Sequence, residues 1–337
     1  MCILKADPLG VVDVMFSSRF IASTALILIL AVEAGAASET VTAAEAPTGS
    51  TMGMSAGNHW SRLVFQASNA VASAQAEISL TALDSDEFPD LAAQPESRLS
   101  PSAAGVLEVA VATEFQLPIV GKRHAYFSAW FDRGTAAVLQ RVNERRGKRP
   151  KYKVTRFGRD GLYTRRANPD SSEERLEPPV DWSNRKENSV TYKNGRGVCD
   201  VVTDFVALLT VYSPAILADD TPPDICVVDN DELFLLSLKR SDVERLNTSF
   251  VAHVEGSRNQ VEGSRDVLRV TVRGKPLLPG AVESPEFLGL SGDISLLFDA
   301  STRIPIKISG TVPILGRVSF DMAEVWIEKA SDDVGVH

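Results

Sequence analysis

The stretch ISLLFDASTRIPIKISGTVPILGRVSFDMAEVWI, residues 294–327, constrains the fold of this chain more than any other. Its apolar residues recur at every second position, the period of a strand with one buried face. Ile294, Leu296 and Phe298 share a face, then Ile304, Ile306 and Ile308, then Val318, Phe320 and Met322. The parity then slips, because the next apolar pair is Val325 and Ile327, and a β-bulge near Met322-Ala323 accounts for the slip. Asp299 suits the first position of the turn between the first two strands. Pro305 has no N–H for a ladder, so its strand is expected at a sheet edge or with that position unpaired. Three such strands cannot stand alone and must bury their apolar face against something else.

Strand patterns recur upstream. Val106–Phe115, HAYFSAWF at 124–131, Ala136–Arg146 and Lys151–Phe157 are β-prone, with RGKRP at 146–150 reading as a hairpin turn. ELFLLSL, SFVAHV and DVLRVTVR follow. The pentapeptide VEGSR occurs twice, at 254–258 and 261–265, and its Gly and Ser suggest an expanded hairpin loop. One segment has another period. Val201, Val202, Phe205, Leu208, Leu209 and Tyr212 fall on one face of a helix, which Pro214 is expected to end. These signals predict a mainly β domain: a curved antiparallel sheet or half-barrel with one or two helices on its concave face.

The N-terminus points to export. Phe20–Val32 carries no charge, Arg19 precedes it, and Ala34-Gly35-Ala36 fits a cleavage site, so residues 1–36 read as a secretory signal peptide. The positive flank is better formed if the chain starts at Met15. Residues 37–104 read as a flexible linker, with an Ala-rich helix over 59–83, the mainly β domain spans 105–328, and 329–337 is a tail. The expected location is periplasmic. Cys199 and Cys226 remain in the mature chain, either as a disulfide or as two buried thiols.

Net charge is −9 and pI about 5.1, which argues against nucleic acid as a partner. The charge is uneven, however: residues 122–166 hold fourteen Lys and Arg against three Asp and Glu. Such a segment is either a solvated strand face or a patch for anions. Arg145, Arg146, Lys148, Arg149 and Lys151 are its densest part.

Catalytic patterns are weak. Ser55 sits in a Gly-x-Ser-x-Gly match, but in a small-residue stretch rather than at a strand-to-helix turn. His59, His124, His253 and His337 are scattered, and His124 reads as a hydrogen-bonded structural residue. Asp219-Asp220 and DNDE at 229–232 lack the ligand spacing of a calcium loop. No catalytic residues, cofactor or metal ligands are assigned.

FLGLSGDISLLFDASTRIPIKISGTVPILGRVSFDMAEV, together with PVDWSNRKENSVTY at 179–192, resembles the bacterial exported family known as domain of unknown function 3108, over roughly residues 120–328. The resemblance implies an exported, mainly β domain with a curved antiparallel sheet and brings no activity with it. The expected role is non-catalytic binding of a lipid-like ligand or partner segment in an apolar concavity lined by Phe205, Leu208, Leu209, Ile294, Leu296, Phe298, Ile306 and Ile308. The alternative is an envelope protein that docks on an anionic surface through the basic segment, with peripheral membrane association at most. A hydrolase ranks third, lacking a convergent nucleophile and base.

Overall fold

The computed structural model describes residues 58–329, apart from interruptions at 69–72, 93–96, 118–120, 148–149, 193–198, 200, 219–224, 230, 278–283 and 313–314. The expected signal peptide, Ser55, Lys148, Arg149, Asp219, Asp220 and the tail beyond Lys329 therefore lie outside the described residues. What is described is mainly β, a single curved sheet of fifteen strands.

One half of the sheet is an antiparallel meander of β1 (Asn58–Ser68), β2 (Ser73–Leu83), β3 (Val106–Leu117), β4 (Gly121–Asp132), β5 (Val138–Arg145), β6 (Lys151–Phe157), β7 (Gly161–Asn168) and β8 (Asn184–Thr191). The other half comprises β9 (Val202–Thr203), β10 (Ile225–Asp229), β11 (Glu232–Val254), β12 (Ser257–Pro276), β13 (Ser291–Asp299), β14 (Pro305–Val312) and β15 (Gly316–Lys329). The halves join through antiparallel pairing of β1 with β15, which leaves β8 and β9 at the two edges. β14 follows β15 only as far as Asp321, so the rest of that flank is open. The long β11–β12 hairpin fills it, pairing Val251–Val254 in parallel with Glu324–Ile327.

The meander at the C-terminus forms as its alternation predicts. Val64 faces Glu324 and Phe65 faces Met322, so Ala323 is the extra residue of a bulge. Pro305 opens β14, a strand interior to the sheet; it pairs with Phe298, while pairing to β15 starts at Lys307. The proline is tolerated because its position on the β15 side is unpaired. Asp299 holds the preceding turn: its Oδ1 accepts from the amides of Ser301 (3.0 Å) and Thr302 (2.8 Å) and its Oδ2 from Arg265 (2.9 Å).

Three expectations are corrected. Residues 201–212 are not one helix. They are β9, then a 3-10 helix (Phe205–Leu209) capped by Asp204, whose Oδ1 accepts from the Val206 amide at 3.1 Å. All five residues of that helix are buried, so its apolar spacing reflects burial on every side rather than one amphipathic face. Pro214 lies in the first turn of the short helix α1 (Ser213–Ala218) instead of ending one, a position where a missing N–H costs nothing. The described residues of 59–83 form β1 and β2 rather than an Ala-rich helix, with Leu63, Phe65 and Ala67 on one strand and Ala76 and Ile78 on the next buried. The sheet thus begins well before 105.

The described residues of 84–104 are likewise tied down. Arg156 on β6 donates to the carbonyls of Leu139 and Leu99 (2.6 Å to the latter) and to Asp90 (3.2 Å). Gln140 donates to the Pro89 carbonyl at 2.8 Å and accepts from the Leu91 amide at 3.0 Å. The two VEGSR copies also differ: the first makes a two-residue turn with Glu255 and Gly256 both at positive φ (50° and 79°), while the second is part of β12. Cys199 and Cys226 form a disulfide that holds the β9 edge to β10, closing a loop with a sequence separation of 27. Restricting the unfolded chain in this way stabilises the fold by about 3 kcal/mol.

Candidate anion-binding face

Strand register assigns each residue of β4–β8 to a face. Val111, Phe127, Asn143, Lys153, Arg166 and Lys186 are successive partners across β3–β8, as are Val109, Ala129, Arg141, Thr155, Thr164 and Asn188. Both rows start on core residues, so they mark the face that continues the main core. Arg145 lies opposite Ala125 and Lys151 on the same face, and Arg123 is two residues along β4 from Ala125. The core-side face of these five strands therefore carries Arg123, Arg141, Arg145, Lys151, Lys153, Arg166 and Lys186. Their acidic residues, Asp132, Glu144 and Glu187, all fall on the opposite face, in register with Val106, Tyr126 and Tyr152, and Arg165.

Acids from the other half of the sheet meet part of this face. Arg141 donates to Asp204 Oδ2 at 3.0 Å and to the Val228 carbonyl at 3.1 Å, with both charged side chains buried. Asp231, in the turn after β10, takes Lys153 on one oxygen (2.8 Å) and Arg166 on the other (3.0 Å), with Thr164 donating at 3.3 Å. Burial raises the Asp231 carboxyl, but Lys153, Arg166 and Arg141 outweigh it and hold it below the usual carboxylate range. The Lys153 ammonium nevertheless sits below its ordinary value, first because it is buried and second because Arg141 is near. Burial outweighs the attraction of Asp231 at 2.8 Å, and the repulsion from Arg141 adds to it. Arg145 is also pushed down, by burial and then by Arg123, a like charge on the neighbouring strand.

The structure divides the basic residues singled out from sequence. Arg145 and Lys151 are directly opposed on the core-side face. Arg146 pairs with Glu144 at 2.5 Å and lies over the Tyr126 ring at 4.5 Å, on the other side of the sheet. Arg123, Arg141, Lys153, Arg166 and Lys186 were not singled out. Their signal was parity: Arg141-x-Asn143-x-Arg145 and Lys151-x-Lys153 place charges two apart, hence on one face. His124 lies on the opposite face, 3.5 Å from Glu114.

The eight apolar residues are brought together. Phe205, Leu208, Leu209, Ile294, Leu296, Phe298, Ile306 and Ile308 all belong to one continuous buried cluster, each at most 5% exposed. Phe205 stacks on Phe287 with ring centroids 4.7 Å apart. No group of residues able to hold a metal ion occurs among the described residues. No family model, curated protein or solved structure matches the chain.

Proposed function

We propose that this chain is an exported, non-catalytic binding protein of a bacterial cell envelope, and that it engages an anionic surface through the core-side face of β4–β8. The observation that supports this reading is the segregation of charge: seven cations and no acid among the strand residues of that face. Like charges on adjacent strands repel one another, and an anionic partner relieves that repulsion. Arg123, Lys151, Arg166 and Lys186 are the exposed members of that face. The proposed envelope location follows from the leader-like N-terminus and the resemblance to the exported family.

Co-sedimentation of the full chain with phosphatidylglycerol vesicles over a salt series tests the reading. Binding that falls steeply as salt rises, and is absent from phosphatidylcholine vesicles, is expected, since exposed charges are screened over about 8–10 Å near physiological salt. Equal binding to both vesicle types, or none to either, would overturn it. A second reading, a lipid-like ligand in an apolar concavity beneath helices on the sheet, draws on the convergence of the eight apolar side chains in one cluster. Extraction and mass spectrometry of the purified chain tests it: co-purifying lipid supports it and a lipid-free chain defeats it.

A further inference from the structure

We infer that the buried face between β5 and β6 binds one water molecule, which accepts a hydrogen bond from Arg141 Nε and bonds Thr155 Oγ1. This hydration site is independent of the anionic-surface reading. Thr155 is fully buried and Arg141 is 7% exposed. Among the described residues, neither Arg141 Nε nor Thr155 Oγ1 has a hydrogen-bond partner. The two residues are direct partners across β5–β6, so their side chains rise side by side from one face. Directly opposed Cβ atoms lie about 4.5–5.5 Å apart. One water at ordinary hydrogen-bond length from two atoms joins groups up to about 6 Å apart.

The groups around these two atoms are engaged elsewhere. Arg141 Nη1 donates to Asp204 Oδ2 at 3.0 Å and to the Val228 carbonyl at 3.1 Å, which fixes the plane of the guanidinium and with it the direction of Nε–H. Thr164, the partner of Thr155 on β7, donates its hydroxyl to Asp231 at 3.3 Å. Lys153, two residues before Thr155, pairs with the same carboxylate at 2.8 Å. A buried N–H or hydroxyl left unpaired costs the desolvation of that group. Water relieves both at once, because it accepts through a lone pair and donates through a hydrogen. An ion suits the place less well. A cation meets the guanidinium and an N–H that cannot ligate it, and an anion meets the carboxylates of Asp204 and Asp231. The water thus ties β6 to the buried ion pair that joins the two halves of the sheet.

The sign of the Thr155→Val effect tests the site, since valine replaces the hydroxyl by a methyl group of like shape. With a bridging water in place, Thr155→Val should lower the folding equilibrium constant of the full chain about tenfold in urea, because the water loses one of its two anchors. In an Arg141→Met background the same replacement should change little, because the water has already lost the other anchor. A Thr155→Val chain as stable as the wild-type chain, or more stable, overturns the site: that is the outcome when a buried hydroxyl has no partner to lose. An equal loss in both backgrounds also overturns it, since the hydroxyl then acts without Arg141. A high-resolution crystal structure gives a second measurement that needs no variant. Water density within hydrogen-bond distance of both Arg141 Nε and Thr155 Oγ1 supports the site, and a map without it overturns it.

Discussion

Replacing Arg141 by methionine tests whether the charges between the two halves of the sheet hold them together. Arg141 and Asp204 expose 8% and 6% of their side chains, so neither has a useful share of solvent. Methionine preserves the length of the aliphatic stem and removes the guanidinium. Asp204 then keeps, among the described residues, the hydrogen bond from the Val206 amide at 3.1 Å, and the Val228 carbonyl loses the Arg141 donor. Removing one partner of a buried pair costs about 3–5 kcal/mol, because the other charge stays behind uncompensated. Arg141 Nε, by contrast, has no hydrogen-bond partner to lose among the described residues. Urea unfolding with the disulfide intact measures the change. Asp204→Asn keeps a capping acceptor and removes the stranded charge, so the double variant should be less destabilised than the sum of the single variants. A cost below about 1 kcal/mol for Arg141→Met, or strict additivity in the double variant, would refute the reasoning.

Four further outcomes are expected. Replacing Cys199 and Cys226 together by serine should lower stability by about 2–5 kcal/mol and speed proteolysis near β9; unchanged urea midpoints would remove the disulfide's assigned role. Asp132, Asp231 and Asp299 are held below ordinary carboxylate values because hydrogen bonds and nearby cations outweigh the effect of burial. Their contribution is present above the ordinary value of about 4 and is lost as pH falls through the lowered ones, so Asp299→Asn should flatten the acid limb of a stability–pH curve. Asp229, raised by burial, acts in the opposite sense, and Asp229→Asn should be neutral or stabilising at pH 7. Gly161→Ala would bring a Cβ within 2.2 Å of the Val190 carbonyl oxygen, so amide exchange at Ser189–Thr191 should accelerate as β8 is pushed away.

The strands at the C-terminus were legible because their apolar residues alternate, and even the bulge at Ala323 could be read as a slip in parity. β1 and β2 carry the same alternation, with Leu63, Phe65 and Ala67 in one strand, yet frequent alanines argued for a helix. Burial of those small side chains against a neighbouring strand outweighs their weak local preference. The 3-10 helix at Phe205–Leu209 was misread for a different reason: a segment buried on all sides has no face to report, and its apolar residues fall into helical spacing by default. The described part of 84–104 looked like a linker because what fixes it is distant in sequence: Arg156, which donates to the Leu99 carbonyl, and Gln140, which bonds Pro89 and Leu91. For the candidate site, the excess of basic residues was visible, but its density along the chain drew attention to the turn at 146–150. The strand register is what separates Arg145 from Arg146 and adds Arg123, Lys153, Arg166 and Lys186.

The most direct test of the anionic-surface account reverses charge on the proposed face and leaves the core alone. Arg145→Glu with Lys151→Glu alters two directly opposed residues outside the main apolar cluster, so the fold should persist by far-UV circular dichroism. The account predicts that this variant no longer sediments with phosphatidylglycerol vesicles at a salt concentration where the wild-type chain does. A folded variant that binds those vesicles as tightly as the wild-type chain would contradict it.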